Sequence, residues 1–380
     1  VAVEDAFGRV LAGDVTATTD LPPFARSAVD GWAVRAADTI TAAADAPVRL
    51  RAAGEVRMGE AAALAVPPGS AVRIPTGGMM PEGADAVVMQ EHVAVDAGSI
   101  SLRRSCRVGD NVVPRGADVR AGEVVLSRGR RLRPPDLGVL AGMGLTHTQV
   151  AVAPRVAILA TGNEVVPAGT VVGPGQVRDM NSASLAGAVR EAGGVPALLG
   201  IVPDDLAALM AELRHTVQEH EMVLVSGGSS VGERDVVADA IRTLDPPGVI
   251  VHGIAVRPGK PTILAAAGHV PVIGLPGNPV SALVIFHLFA RPVLQAMLDL
   301  DPSTQPWRRV RARLAGPLPG AGEREDYRRV RLEARSDGWW AVALQAGSQV
   351  LTSLVRADGI VVVPPHSVFA EGEEVEVQLL

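Results

Sequence analysis

Of the 35 lysine and arginine residues in the chain, one is lysine: Lys260, in VRPGKPT (256–262). A chain with arginine at every other basic position has kept one compact ammonium between a glycine and a proline. Either one lysine falls there by chance, or the site needs chemistry a guanidinium does not serve. Asparagine is nearly as sparse, at Asn111, Asn163, Asn181 and Asn278. Three segments combine glycine with hydroxyl or amide side chains: ATGNE (160–164), SGGSSVGERD (226–235) and GLPGNPVS (274–281). Glycine lets a backbone approach a ligand, and where such a loop enters a helix the free N–H groups and the dipole favour an anion. The candidate ligand contacts are Thr161, Gly162, Asn163, Ser226, Gly227, Gly228, Ser230, Gly232, Gly277 and Asn278, with Arg257 beside Lys260. No loop fits G-x-G-x-x-G or G-x-x-x-x-G-K-[ST], so neither a nicotinamide nor a standard nucleotide loop is indicated.

Glu164, Asp204 and Asp235 attend the same loops. Acids beside phosphate-cradling loops call for a divalent cation, and Mg²⁺ held by one or two carboxylates plus ligand phosphates fits. Each acid also has an ordinary reading: Asp204 or Asp205 as cap of the next helix, Glu164 and Asp235 as solvated loop residues. Taken together, the loops describe a binder of a phosphorylated, anionic small molecule.

The elements that must hold these loops alternate in type. RVAILATG reads as a buried strand, and VPALLGIV, EMVLVSGG and VPVIGLPG as further strands. NSASLAGAVREAGG reads as a capped helix ended by Gly193, followed later by DDLAALMAELRHTVQEH and the long apolar PVSALVIFHLFARPVLQAML. That alternation predicts βαβ units, a parallel sheet with helices on both faces, and ligands at the carboxyl ends of its strands. Before it, residues 21–122 show short alternating runs between turn residues, as an all-β module does. RPPDLGVLAGMG then reads as a helix, with Pro and Asp at its start and Gly142 and Gly144 at its stop. After the Pro/Ser/Thr linker DLDPSTQPW, the runs WWAVALQ, GIVVVPP and EVEVQLL read as strands of a small β domain.

With 48% hydrophobic and 20% charged residues, the 380-residue chain is an ordinary globular multidomain composition. A net charge of −6 argues against a general nucleic-acid binder, and the clusters Arg128–Arg133 and Arg308–Arg313 read as solvated strand faces. One cysteine, Cys106, excludes an intrachain disulfide and a cysteine zinc site, and reads as structural. No apolar run reaches the roughly eighteen residues of a membrane span, and no signal-like start is visible; the expectation is a cytoplasmic protein without membrane contact.

The three loops, read with LPPFARSAVDGWAVRAAD (21–38) and IPTGGMMPEGADAVVMQE (74–91), resemble the molybdopterin molybdenumtransferase family, which includes the C-terminal domain of gephyrin. The resemblance continues through GDNVVPRGADVRAGE, TGNEVV, VRPGKPT and GSQVLTSLVRADGIVVVP, in order over nearly the whole chain. It implies a multidomain α/β homodimer. A central parallel-sheet molybdopterin-binding domain (154–303) would carry a β-rich insertion (21–122), an N-terminal dimerisation region (1–20 with 123–153) and a small C-terminal β domain (304–380). The implied reaction inserts the metal of molybdate into adenylylated molybdopterin and releases AMP with Mg²⁺ present. By motif, Asp30 and Thr76 would enter the cleft from the partner subunit, with Asp118 nearby, and Glu164, Asp204 and Asp235 would serve the metal and the phosphoanhydride. Pro276 and Pro279 would shape the LPGNP loop, and Lys260, Ser281, Arg329 and Ser348 would receive molybdate. A molybdopterin adenylyltransferase is a further implied partner. Two departures stand out: Arg257 and Trp32 replace a lysine and a tyrosine common in the family. The competing readings are an adenylyltransferase and a non-enzymatic molybdopterin-binding scaffold.

Overall fold

The computed structural model describes residues 1–227, 235–300 and 308–380. Gly228, Ser230, Gly232 and most of the linker DLDPSTQPW lie outside the described residues. The chain forms two units: Val1–Phe7, Gly13–Arg128 and Leu132–Gln149 make one, and Gly8–Ala12, Gly129–Arg131 and Val150–Leu380 the other.

In the first unit, β1 (Val15–Thr16) and β2 (Arg26–Ser27) are short pieces, and β3 is Gly31–Val34. They are followed by β4 (Val48–Glu55), β5 (Ser70–Ile74), β6 (Ala86–Met89), β7 (Val93–Asp96), β8 (Ser99–Leu102), β9 (Val112–Val113) and β10 (Val124–Leu126). Six of them form a sheet in the order β6-β3-β5-β4-β8-β7, while β1 pairs with β10 and β2 with β9. All four residues of β3 are buried, since it is flanked by strands on both edges. Gly31 admits no side chain there, because a Cβ would sit 2.1 Å from the Val88 carbonyl oxygen. Trp32 is buried with Val34, Leu50, Ile100 and Leu102, and so serves the core of this unit. Cys106 is also structural, half-buried with its sulfur 3.3 Å from Thr39 Oγ1, and burial raises its thiol pKa. The helix α1 (Pro134–Gly142) begins as its Pro and Asp predict: Asp136 accepts from the Arg133 N–H at 2.8 Å.

In the second unit β11 (Arg155–Thr161), the small pair β12 (Val165–Val166) and β13 (Val177–Arg178), α2 (Asn181–Ala192), β14 (Val195–Val202), α3 (Leu206–Glu219) and β15 (Met222–Ser226) come first. Then follow α4 (Val236–Ile241), β16 (Pro247–His252), β17 (Val256–Arg257), β18 (Ile263–Ala267), β19 (Val270–Leu275), α5 (Pro279–Ile285) and α6 (Arg291–Met297). The sheet order is β14-β11-β15-β19-β18-β16. Alternate residues of β11 face opposite layers, as a strand requires. Val156 and Ile158 pack under α2, α5 and α6, whereas Ala157 and Leu159 pack under α3 and α4. Gly193, at φ 100°, ends α2 in the left-handed conformation expected of a helix-stop glycine.

Three expectations are corrected. The sheet is mixed: β14, β11, β15 and β19 are parallel, β18 runs against them, and β16, antiparallel to β18, points the same way as the first four. Only Gly268 and His269 separate β18 from β19, and so short a link can only reverse the chain. Second, one helix among the described residues, Pro279–Met297, is long and apolar enough to cross a membrane, with mean hydropathy 1.5. Its Ala282, Ile285, Phe286, Ala290 and Leu294 are instead buried against the sheet. This helix is interrupted by a π-helical turn, Phe286–Ala290, just before Pro292. Proline lacks the N–H and its ring crowds the carbonyl four residues back, and the widened turn accommodates both. Third, Arg128–Arg133 is not a strand face: Arg131 donates to the carbonyls of Glu191 and Ala192, both at 2.9 Å, closing the end of α2.

The rest of the second unit is β20 (Arg309–Leu314), β21 (Leu318–Pro319), β22 (Glu325–Arg335), β23 (Gly338–Ala343), α7 (Thr352–Val355), β24 (Gly359–Val363), β25 (Val368–Phe369) and β26 (Glu374–Leu379). Strands β22, β23, β20, β26 and β24 close into a ring, since β24 pairs with both β26 and β22. Here the second arginine cluster is a solvated strand face, with Arg309, Arg311 and Arg313 paired to Glu376, Glu374 and Asp337.

Candidate active site

The chain leaves β11 for β14 on one side and reaches β15 on the other, so the sheet has its switch point between β11 and β15. Their carboxyl ends, Thr161 and Ser226, are buried. Gly227, at φ 119°, must be glycine because a Cβ would lie 2.0 Å from the Thr161 carbonyl oxygen. Its N–H donates to the Leu275 carbonyl at 3.3 Å, which brings the second and third loops together. Asn181, at the start of α2, ties them further: its Nδ2 donates to Ser226 Oγ at 2.7 Å and to the Gly277 carbonyl at 2.8 Å. Asn278 in turn donates to Ser348 Oγ at 3.0 Å, and the Val280 N–H to the Ser348 carbonyl at 3.1 Å. Pro276, Pro279 and Ser281 are buried beneath this loop.

The turn carrying Lys260 is built to a tight fit. Gly259, at φ 129°, would place a Cβ 2.4 Å from Ile285 Cδ1. Thr262 Oγ1 donates to the Gly259 carbonyl at 2.7 Å, and the Ile254 N–H to the Lys260 carbonyl at 2.9 Å. Lys260 itself is exposed. Before the turn, β17 pairs with β22 of the C-terminal sheet, placing Arg257 opposite Asp326. Two residues beyond Arg257 and three beyond Asp326, the chain thus supplies Gly259 and Arg329 to one wall. Arg329 is only 8% exposed; its guanidinium donates to the Ala346 carbonyl, and its Nε is buried without a hydrogen-bond partner among the described residues. Burial, and then the charges of Arg328 and Arg257, lower its pKa, against an opposing pull from Asp326.

These parts enclose one open cleft of about 1180 Å³. Thr161, Glu164, Ser226, Gly227, Arg257 and Lys260 line it, as do Pro276, Gly277, Asn278, Pro279, Ser281, Arg329 and Ser348. Residues not proposed from the sequence as ligand contacts also line it: Arg178, Asn181, Arg324, Asp326 and Arg328. Asn181 had a signal in its rarity. The others sit in polar strand ends that give no local sign of a ligand.

The three acids divide. Glu164 lines the cleft. Asp204 accepts from Thr161 Oγ1 at 2.6 Å and from the Asn163 N–H at 3.4 Å, while its own N–H donates to Asn163 Oδ1. It therefore shapes the first loop, including Gly162, and Asp205 takes the capping role by accepting from the Ala208 N–H. Asp235 caps α4, accepting from the Ala238 N–H at 3.0 Å, and its other oxygen lies 3.3 Å from His252 Nε2. Among the described residues no three carboxylate, imidazole or thiolate groups are gathered as a metal cluster. In the first unit, Asp30 and Thr76 meet: Asp30 Oδ1 accepts from the Thr76 N–H at 2.6 Å and from its hydroxyl at 2.9 Å. Those bonds hold the Asp30 carboxyl below its usual pKa. Asp118 is exposed, with its N–H on the Leu21 carbonyl.

Three family descriptions match the chain in order: the MoeA N-terminal region (domain I and II) over residues 1–144, a probable molybdopterin binding domain over 157–296, and the MoeA C-terminal region (domain IV) over 311–380. A molybdopterin molybdenumtransferase 2 of Mycobacterium tuberculosis is 36% identical over 382 residues, covering 99% of this chain and 94% of that one. The chain belongs to the molybdopterin molybdenumtransferase family. A family member from Bacillus subtilis is 36% identical over 302 residues, 78% of this chain and 70% of its own. The crystal structure of the molybdopterin biosynthesis moeA protein from Pyrococcus horikoshii OT3 aligns with a TM-score of 0.86 at 32% identity, covering 100% of this chain and 94% of that one. The multidomain arrangement of α/β domain, N-terminal domains and C-terminal β domain is thus the family's fold.

Proposed function

We propose that this chain inserts molybdenum into molybdopterin, taking the adenylylated form and molybdate as substrates and releasing AMP. The observation that carries the proposal is the cleft wall on which Lys260, Arg257, Arg329, Ser281 and Ser348 converge beside the start of α5. A tetrahedral dianion suits that wall: an exposed ammonium, hydroxyls and the buried Arg329 fork, close to a helix N-terminus. The glycine-bearing ends of β11, β15 and β19 offer backbone to a phosphorylated pterin.

Mg²⁺ fits this donor set with Glu164 as its first protein ligand. Of the three acids Glu164 lines the cleft, so it would hold the ion together with substrate phosphate oxygens, with Asp204 and Asp235 in support through the loops they anchor. When bound, the ion would neutralise charge at the phosphoanhydride. Asp235, held by its cap and by His252, would hold an attacking water, and Asp204 keeps the Thr161–Asn163 loop in shape. The Asp30–Thr76 pair, exposed and pre-formed, would complete the cleft of a partner subunit in a homodimer. An adenylyltransferase that supplies the substrate is the expected partner, and the cytoplasm the expected compartment.

The test is direct. Purified chain is mixed with adenylylated molybdopterin, Mg²⁺ and molybdate, and both AMP and active cofactor are measured. Formation of both is expected, and AMP without cofactor, or neither, rejects the assignment. Transfer of AMP from ATP to molybdopterin would instead identify an adenylyltransferase.

A further inference from the structure

We propose that Asp326 is a positioning residue of the oxyanion cleft, a buried carboxylate that holds the guanidinium groups of Arg257 and Arg328 at the cleft wall. The inference rests on the functional reading above, and it assigns the organisation of the wall to a residue that touches no substrate.

The strand places the three groups together. Asp326 and Arg328 are two apart on β22 and so share one face, while Arg257 lies directly opposite Asp326 on the parallel strand β17. The Asp326 carboxylate is 3.3 Å from Arg328 Nη1 and 3.9 Å from Arg257 Nη1. Asp326 is 2% exposed, yet all three residues line the cleft. A carboxylate is costly to bury, and a strand position facing a core accepts an apolar residue more readily. Something must therefore be served by keeping the charge. The surroundings supply the reason: Arg257, Arg328, Arg329 and Lys260 line the same cleft, and like charges on long side chains spread apart unless a counter-charge anchors them. Each guanidinium has five donors, and a contact with Asp326 leaves the others for a ligand. The same carboxylate links β17, which leads into the Lys260 turn, to β22, which carries Arg329. It thereby sets the spacing between the Lys260 turn and the buried guanidinium whose Nε has no hydrogen-bond partner among the described residues.

The experiment uses the full chain. Asp326→Asn keeps the shape and removes the charge. The molybdate concentration for half-maximal insertion should rise about tenfold, with kcat changed less than about twofold. Calorimetric binding of molybdate alone should weaken by the same factor. In an Arg257→Gln/Arg328→Gln background, Asp326→Asn should add almost nothing, because it acts through those two groups. Should Asp326→Asn fail to fold, Arg328→Lys provides the measurement: it keeps the charge, loses the fork, and should also raise the molybdate requirement. Overlapping molybdate curves for wild type and the folded variant, with only Tm lowered, would overturn the proposal and leave Asp326 a structural residue. Equal effects of Asp326→Asn with and without the two arginines would overturn it as well. A wild-type chain that neither binds molybdate nor forms cofactor sinks the functional reading itself; a working wild type with an indifferent Asp326 sinks only this inference.

Discussion

Lys260 lies in a turn whose backbone is fixed by Gly259 and Thr262, so the root of its side chain is set by the fold and its chemistry by the ammonium. A guanidinium there is broader, planar and suited to paired oxygens, whereas an ammonium meets one small oxyanion end-on. Lys260→Arg should fold and bind adenylylated molybdopterin but need at least tenfold more molybdate, since one charge-assisted hydrogen bond is worth about 1.5–3 kcal/mol. Insertion rate against molybdate concentration decides this, and superimposable curves would make the single lysine an accident of composition. Asp235 permits a cleaner separation. Asn is as good a helix cap as Asp, so Asp235→Asn should shift stability by less than about 0.5 kcal/mol. AMP release should nevertheless stop if the carboxylate holds the water. Normal release by that variant would remove Asp235 from the mechanism.

At the scale of elements, the helix from Pro279 to Met297 carries a second testable device. His287 lies in its π-helical turn, and burial, then Arg291, lower the imidazole pKa against a weaker opposing pull from Glu191 on α2. The folded chain therefore prefers neutral His287. As pH falls below the unfolded value of about 6.5, the unfolded chain takes up the proton first and stability declines. His287→Gln should flatten that part of the curve between about pH 6.5 and 5. Denaturant midpoints across this range measure it, and parallel curves for the two proteins would assign the pH dependence elsewhere. The helix was legible as a helix from its apolar spacing, but its π turn was not. The interruption reflects how Pro292 is accommodated under tertiary packing, and spacing alone does not encode that choice. The mixed sheet shows the same limit: β18 is turned by a two-residue reversal, and its run of alanines says little of its direction.

For the whole molecule, the sharpest prediction joins residues that sequence distance keeps apart. Asp30 and Thr76 are 46 positions apart and form a pre-organised pair in the first unit, while Asp235 stands at the carboxyl ends of the second unit's sheet. If each cleft is completed by a partner subunit, Asp30→Ala and Asp235→Ala chains, inactive alone, should regain one working site per mixed dimer. Activity near a quarter of wild type is the expectation for random mixing of equal amounts, because half the dimers are mixed and each has one of two sites intact. Mixed dimers that form and remain as inactive as their parents would remove the shared site.

The sequence alone determined the βαβ grammar, the glycine-bearing loops at strand ends, the caps and stops of α1 and α2, and the rarity of Lys260. These are local matters of periodicity, backbone freedom and side-chain type, which neighbouring residues settle among themselves. It also carried long motifs in order, from which the family was named. The tertiary structure decided which polar groups are committed inside the protein and which face the cleft. Asp204 and Asp235 share motif status with Glu164, yet their oxygens already accept hydrogen bonds from Thr161, Asn163 and the α4 N-terminus. Asp326 is one acid among many in the sequence and becomes distinctive only when β17 pairs with β22 and buries it between two arginines. Burial and pairing are set by contacts between residues distant in the chain, so no reading of local pattern supplies them.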